Sequence, residues 1–137
     1  ATGLQLTSDE RRLRTHASSA RSEIRTDRSF CIFAVDPNSD TGDMIAEARL
    51  SLLPSRTSAD FGISVRDDWQ GHGLATLLMD EIESEARRRG LEQIVGYVLK
   101  DNENMHGMMV KRGYVRTTDE DDPNIDLFTL ENLKISN

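Results

Sequence analysis

Cysteine is nearly absent from this chain of 137 residues. The single one, Cys31, leaves no internal disulfide to staple the fold, so packing has to hold it. Cys31 lies in the apolar run "FCIFAV", which predicts a buried strand cysteine rather than an exposed nucleophile. No apolar run approaches the ~20 residues that cross a bilayer, and no leader pattern opens the chain. The expectation is a cytoplasmic protein with no membrane partner. An excess of positive charge is also missing. With 17 Lys and Arg against 24 Asp and Glu, the net charge is −7. That argues against a binder of nucleic-acid backbones and suits a partner bearing cationic amines. The three histidines, His16, His72 and His106, share no metal-ligand spacing, so no metal is expected. What remains is 36% hydrophobic residues in a length that suits one domain, residues 1–137.

Periodicity sketches the elements. Thr7 and Glu10 form a capping box, and Leu13, Ala17, Ala20 and Ile24 follow at helical spacing, predicting a helix over residues 8–26. "SFCIFAV" reads as a buried strand. "DPNSDTGD" is a hairpin connection. In "MIAEARLSLL", Ala46, Ala48, Leu50 and Leu52 alternate with Glu47, Arg49 and Ser51, which gives a strand with one buried face. "ADFGISV" alternates again through Phe61, Ile63 and Val65. Beyond it the period changes. Leu74, Leu77, Leu78, Ile82 and Ala86 share a helix face, with Glu81, Glu83, Glu85 and Arg87 to Arg89 assigned to solvent. "LEQIVGYVL" is a strand. Met105, Met108 and Met109 mark a short core-facing helix, and "YVRT" and "IDLFTLE" are two strands around the acidic loop from Asp119 to Asn124. The order is helix, three strands, helix, strand, helix, two strands, an α+β domain with a mostly antiparallel sheet.

Gly71 and Gly73 stand one residue apart where the strand "ISV" gives way to the long helix. A helix N-terminus has about four backbone N–H groups without partners and a partial positive charge, and glycines let an anion come close to them. The dinucleotide pattern G-x-G-x-x-G fails because Thr76 stands at its third glycine, and the P-loop pattern is absent. A phosphate loop of another kind and a plain helix-start turn both stay open on spacing alone.

"QGHGLA", Gln70 to Ala75, resembles the Q/R-x-x-G-x-G/A signature of the GNAT superfamily of N-acetyltransferases. "DNENMHGMMVKRGY" is similar to that family's second motif, with Asn102, Met105 and the pair Gly113–Tyr114 in place. The match covers roughly Phe30 to Leu130, and its flavour is most like the catalytic domains of bacterial protein-lysine acetyltransferases. The resemblance implies a GNAT fold in which acetyl-CoA is held at a strand-loop-helix. Its pyrophosphate would lie on the segment Gln70, Gly71, His72, Gly73, Leu74 and Ala75. The pantetheine arm would run beside Ile63 and Val65, at a splay of the central strand that also supplies oxyanion donors, and would meet Asn102. The partner would be an amine acceptor, a protein lysine or a small amine. A non-catalytic acyl-CoA-binding domain stays open. No sequence feature speaks to the oligomeric state.

Acetyl transfer to an amine needs a base, since a lysine ammonium with a reference pKa near 10.4 has no free lone pair. Asp60 is the candidate, one methylene shorter than the glutamate of the lysine acetyltransferases that the chain resembles, with Glu47 as alternative. The family's tyrosine acid would fall at Met109. Tyr97, Tyr114 and Trp69 are read as packing residues, and His16 and His106 as structural or surface ones. The family's opening strand has no clear counterpart; "GLQL" is the one short candidate, and the chain reads as a domain excised from a larger protein or one with a reduced sheet edge.

Overall fold

The computed structural model describes residues 21–133. Seven strands and two helices follow in the order β1 (Arg21–Arg25), β2 (Ser29–Val35), β3 (Met44–Leu52), β4 (Ser58–Val65), α1 (Leu74–Arg88), β5 (Gln93–Leu99), α2 (Glu103–Lys111), β6 (Val115–Thr118) and β7 (Ile125–Glu131). The strands lie in one sheet in the order β1-β2-β3-β4-β5-β7-β6. Pairings β1/β2, β5/β7 and β6/β7 are antiparallel. β4/β5 is parallel, as a crossover through a helix requires. The expected α+β class with a mostly antiparallel sheet is the one found. No helix among the described residues is long and apolar enough to cross a membrane. By contacts the chain falls into two units, Ala1–Arg49 with Ile63–Glu81, and Leu50–Gly62 with Ile82–Asn137. β3, β4 and α1 run through both.

In the first unit, Phe30, Ile32, Ala34, Ile45, Ala46, Ala48, Leu74, Leu78 and Met79 are buried. The expected helix over residues 8–26 is overturned at its end, since residues 21–25 form β1. There the ladder with β2, from Arg21↔Ala34 to Arg25↔Phe30, supplies backbone partners that outweigh helical spacing. Thr26 closes the hairpin, its N–H donating to the carbonyl of Ser29 at 2.9 Å and its hydroxyl accepting from the N–H groups of Arg28 and Ser29. The rest of that helix, "GLQL" and His16 lie outside the described residues. β2 buries one face only: Phe30, Ile32 and Ala34 are inward, and Cys31 is half-buried on the other side, not in the core as expected. The connection Asp36 to Asp43 is the hairpin predicted, closed by the Asp36 N–H on the carbonyl of Asp43 at 2.9 Å.

In the second unit, Leu50, Ala59, Phe61, Ile82, Ala86, Leu91, Ile94, Val98, Met109 and Phe128 form the buried set. Met109 is buried as expected, whereas Met105 and Met108 are half-buried. Glu83 and Glu85, assigned to solvent, are buried instead. Each is paired by a different route, Glu83 by residues distant in sequence and Glu85 by the end of its own helix. Arg112 forks onto Glu83 at 2.8 and 2.9 Å, and the Tyr114 hydroxyl donates to Glu83 at 2.7 Å. Arg88 and Arg89 turn back onto Glu85 at 3.0 and 2.9 Å, so Arg89 is not the fully solvated residue expected. A buried carboxylate is tolerated where its oxygens are paired in this way. Phe61 and Gly96 are opposed in the β4/β5 register, and any Cβ at Gly96 would overlap the Phe61 ring. Tyr114 stacks edge-on against the same ring at 5.7 Å.

Candidate functional site

The loop after β4 joins a short 3-10 turn to α1 through two glycines. The chain leaves β4 with the Arg66 N–H on the carbonyl of Ile45 at 2.8 Å and makes a single 3-10 turn, Asp67–Trp69. Gln70 ties this turn together. Its side-chain amide donates to the Val65 carbonyl at 3.2 Å and to Asp67 at 3.3 Å, and its own N–H donates to the carbonyl of Asp67 at 3.3 Å. Gly71 and Gly73 follow with φ of 83° and 78°, a left-handed backbone that side chains resist. The paired glycines thus let the chain turn from the 3-10 segment into α1. The first helical bond runs from Leu77 to Gly73 at 3.2 Å, so the amides of Leu74 and Ala75 precede it. No acidic residue occupies the first turn of α1. Asp68 is held by a two-pronged hydrogen bond to Arg66 at 2.6 and 3.0 Å, which lowers its pKa from the usual carboxylate value. An anion at the loop therefore meets amides and the positive helix end, with Asp68's charge already paired. Trp69 lies edge-on to His72 at 5.8 Å and steadies the loop as expected of a packing residue. The Leu74 side chain is buried. Ile63 and Val65 are half-buried on β4 upstream of the loop.

The second unit holds Asp60, Tyr97 and Asn102. The β4/β5 ladder covers the rungs Ser58↔Gln93 to Phe61↔Gly96, and β5 then continues to Leu99 with β7 as its partner. Ala59 and Phe61 point inward, so Asp60 points to the opposite face, half-buried. Its row continues through Val95 to Thr129 and Val115 on the neighbouring strands. Two residues along β5 is Tyr97, expected to pack but 54% exposed, with Leu99 and Val115 similarly open. The reason is phase: Ile94, Gly96 and Val98 take the inward positions of β5, and Tyr97 falls between them. Glu47 is half-buried on β3 beside Arg49, at 3.2 Å.

Asn102 caps α2, its side-chain oxygen accepting from the Met105 N–H at 3.2 Å. His106, read as structural or surface, lies one turn on and is fixed at both nitrogens. Nδ1 is 2.7 Å from the Asn102 carbonyl and Nε2 is 3.0 Å from Asp126 Oδ2. Asp126 and its second partner, Lys100 Nζ at 2.6 Å, were not anticipated. The signal was present: Asp126 shares the inward phase of Phe128 on β7, where an apolar residue belongs. Hydrogen bonds from Lys100 and then His106 hold the Asp126 carboxyl below its ordinary range. Met109, in the position of the family's tyrosine, is fully buried. Tyr114 has its hydroxyl on Glu83, and burial and then the Glu83 charge push its pKa far above the usual phenol value.

The same strand-loop-helix, two-helix arrangement occurs in solved structures. The GNAT domain of S. lividans PAT superposes with a TM-score of 0.66 at 21% identity, over 78% of this chain and 64% of that one. A cAMP-binding acyltransferase from Mycobacterium smegmatis gives 0.65 at 24% identity, over 80% of this chain and 33% of that one. PaiA N-acetyltransferase from Thermoplasma acidophilum, in complex with coenzyme A, gives 0.63 at 13%, over 76% and 61%. The chain thus spans less than two thirds of each of these proteins, and at such identities the likeness is one of fold. Sequence carries the assignment further, because the pattern of the acetyltransferase (GNAT) family matches residues 4–114, through the glycine loop and the second motif to Tyr114, and the chain belongs to that family.

Proposed function

We propose that the chain transfers an acetyl group from acetyl-CoA to the ε-amine of a protein lysine. The observation that carries the choice of acceptor is the open sheet face on which Asp60 stands. Further out on that face Tyr97, Leu99 and Val115 are more than half exposed, which suits a lysine presented on a macromolecular surface rather than a small amine enclosed on all sides. The pyrophosphate rests on the amides of Gly71 to Ala75, the pantetheine arm follows the backbone of Ile63 to Val65, and the side-chain NH2 of Asn102 donates to a pantetheine carbonyl. Asp60 takes the proton of the incoming ammonium through a water. The amine nitrogen then bonds to the thioester carbon, the oxyanion is met by backbone N–H groups of β4, and the carbon–sulfur bond breaks to release the thiolate. With Met109 buried at the tyrosine position and the Tyr114 hydroxyl committed to Glu83, the thiolate leaves without a phenolic acid. A thiol of pKa about 8.5 tolerates this.

Asp60→Asn tests the reading. Turnover with a lysine peptide should fall by about 10²–10⁴-fold near neutral pH while calorimetric acetyl-CoA affinity stays at the parent value. The deficit should shrink at high pH, where free amine is plentiful. Turnover of Asp60→Asn at the parent rate removes Asp60 as base. A panel of protein, peptide and small-amine acceptors decides the substrate class, and the absence of CoA release with every amine favours an acyl-CoA-binding domain.

A further inference from the structure

We propose that His106 is a positioning residue for the acyl-CoA site: clamped by Asp126, it fixes the backbone of Asn102 and so aims this N-cap side chain at the cosubstrate. This rests on the acyl-CoA reading above.

The bonding is specific. The Asn102 carbonyl accepts twice, from the His106 N–H at 3.1 Å and from the ring at Nδ1 at 2.7 Å. A carbonyl can only accept, so Nδ1 carries a hydrogen. Nε2 in turn faces the Asp126 carboxylate at 3.0 Å. The Asp126 side chain is 2% exposed, and its other oxygen takes Lys100 Nζ at 2.6 Å. Arg116 approaches the His106-facing oxygen at 3.9 Å from β6. The ring packs edge-on against Phe128 at 5.1 Å. Carboxylate, imidazole and carbonyl thus form a chain from the start of β7 to the cap of α2.

A carboxylate in the core phase of β7 needs a reason beyond stability, since an apolar residue of similar volume would pack there at lower desolvation cost. Lys100 alone could also have paired with it. The chain of bonds ends on Asn102. That residue's Oδ1 is already used on Met105, which leaves its NH2 as a donor with no partner among the described residues. Its direction depends on the peptide unit that His106 holds.

Two near-isosteric variants separate the bonds. His106→Gln places an amide NH2 where Nε2 stands, keeping the Asp126 partner and losing the tie to Asn102. His106→Asn places one where Nδ1 stands, keeping the Asn102 tie and losing Asp126. Melting temperature and the calorimetric Kd for acetyl-CoA are measured for each. The proposal expects His106→Gln to melt near the parent temperature but bind acetyl-CoA about fivefold more weakly, one neutral hydrogen bond's worth. His106→Asn should melt lower but bind nearly as the parent does. If the Gln variant binds like the parent, or the two variants lose stability and affinity in parallel, positioning is overturned and His106 is structural only. A parent protein that binds no acetyl-CoA overturns the acyl-CoA reading itself, a result distinct from parent-like binding by the Gln variant.

Discussion

Removing one oxygen atom, in Tyr114→Phe, tests how the second unit is held. The Tyr114 hydroxyl donates to Glu83 Oε2 at 2.7 Å, and Arg112 forks onto the same carboxylate at 2.8 and 2.9 Å. Hydrogen bonds to charged groups contribute about 1.5–3 kcal/mol. The fork from Arg112 survives the substitution and keeps Glu83 paired, so the low end applies, about 1.5 kcal/mol. At roughly 4 °C per kcal/mol for a domain of this size, the melting temperature should fall by about 6 °C. The pH dependence is more diagnostic. Burial first, and the Glu83 charge second, raise the Tyr114 pKa far above its ordinary value of 10.0. In the unfolded chain this phenol loses its proton near pH 10, while the folded protein keeps it. The stabilisation is thus complete below about pH 10 and declines above it by about 1.4 kcal/mol per pH unit. Urea unfolding of parent and variant from pH 7 to pH 11 reads both effects. The parent should lose stability along this one-proton limb, and Tyr114→Phe should lack it. Because this hydroxyl is committed to Glu83, turnover at neutral pH should stay at the parent level. A cost below about 0.5 kcal/mol with an unchanged alkaline limb would refute the buried-bond reasoning, and a large loss of turnover would return Tyr114 to the list of proton donors.

Gly73→Glu puts a side chain and a negative charge where the left-handed backbone and the helix end receive an anion; calorimetry should show acetyl-CoA affinity reduced at least tenfold in a folded protein. Gly96→Val has no space against Phe61, so chemical denaturation should show a loss of about 1–3 kcal/mol or failure to fold, with Phe61→Leu partly restoring it. Asn102→Ala removes the α2 cap, worth about 1 kcal/mol, and should in addition raise the KM for acetyl-CoA; a stability loss with unchanged kinetics would leave the cap as its whole role.

Local pattern in the sequence settled much of this protein. The alternation of "IDLFTLE" is β7, Ile125–Glu131, without a residue's error. The change from period two to helical spacing after Val65 marks where β4 ends and α1 begins. The two glycines, Gln70 and Asn102 could be placed because their signals are short-range: a left-handed turn, a helix start and a cap depend on neighbours a few residues away. Long-range pairing was not legible. Arg21 to Arg25 looked helical by spacing, and only β2 beside it makes it a strand. Glu83 looked solvated because a helix wheel knows nothing of Arg112 and Tyr114 further along the chain. Tyr97 looked like a packing residue because its exposure is fixed by which phase of β5 faces inward. Asp126, Lys100 and His106 are separated in sequence, and the register of β5 on β7 with the cap of α2 brings them together. Where backbone turns, caps and amphipathic faces fall follows from each residue's own conformational and solvation preferences, and so is written locally in the chain. That Glu83 and Asp126 could be buried was settled by tertiary contacts, because each of these carboxylates is tolerated only with partners that arrive from elsewhere in the chain.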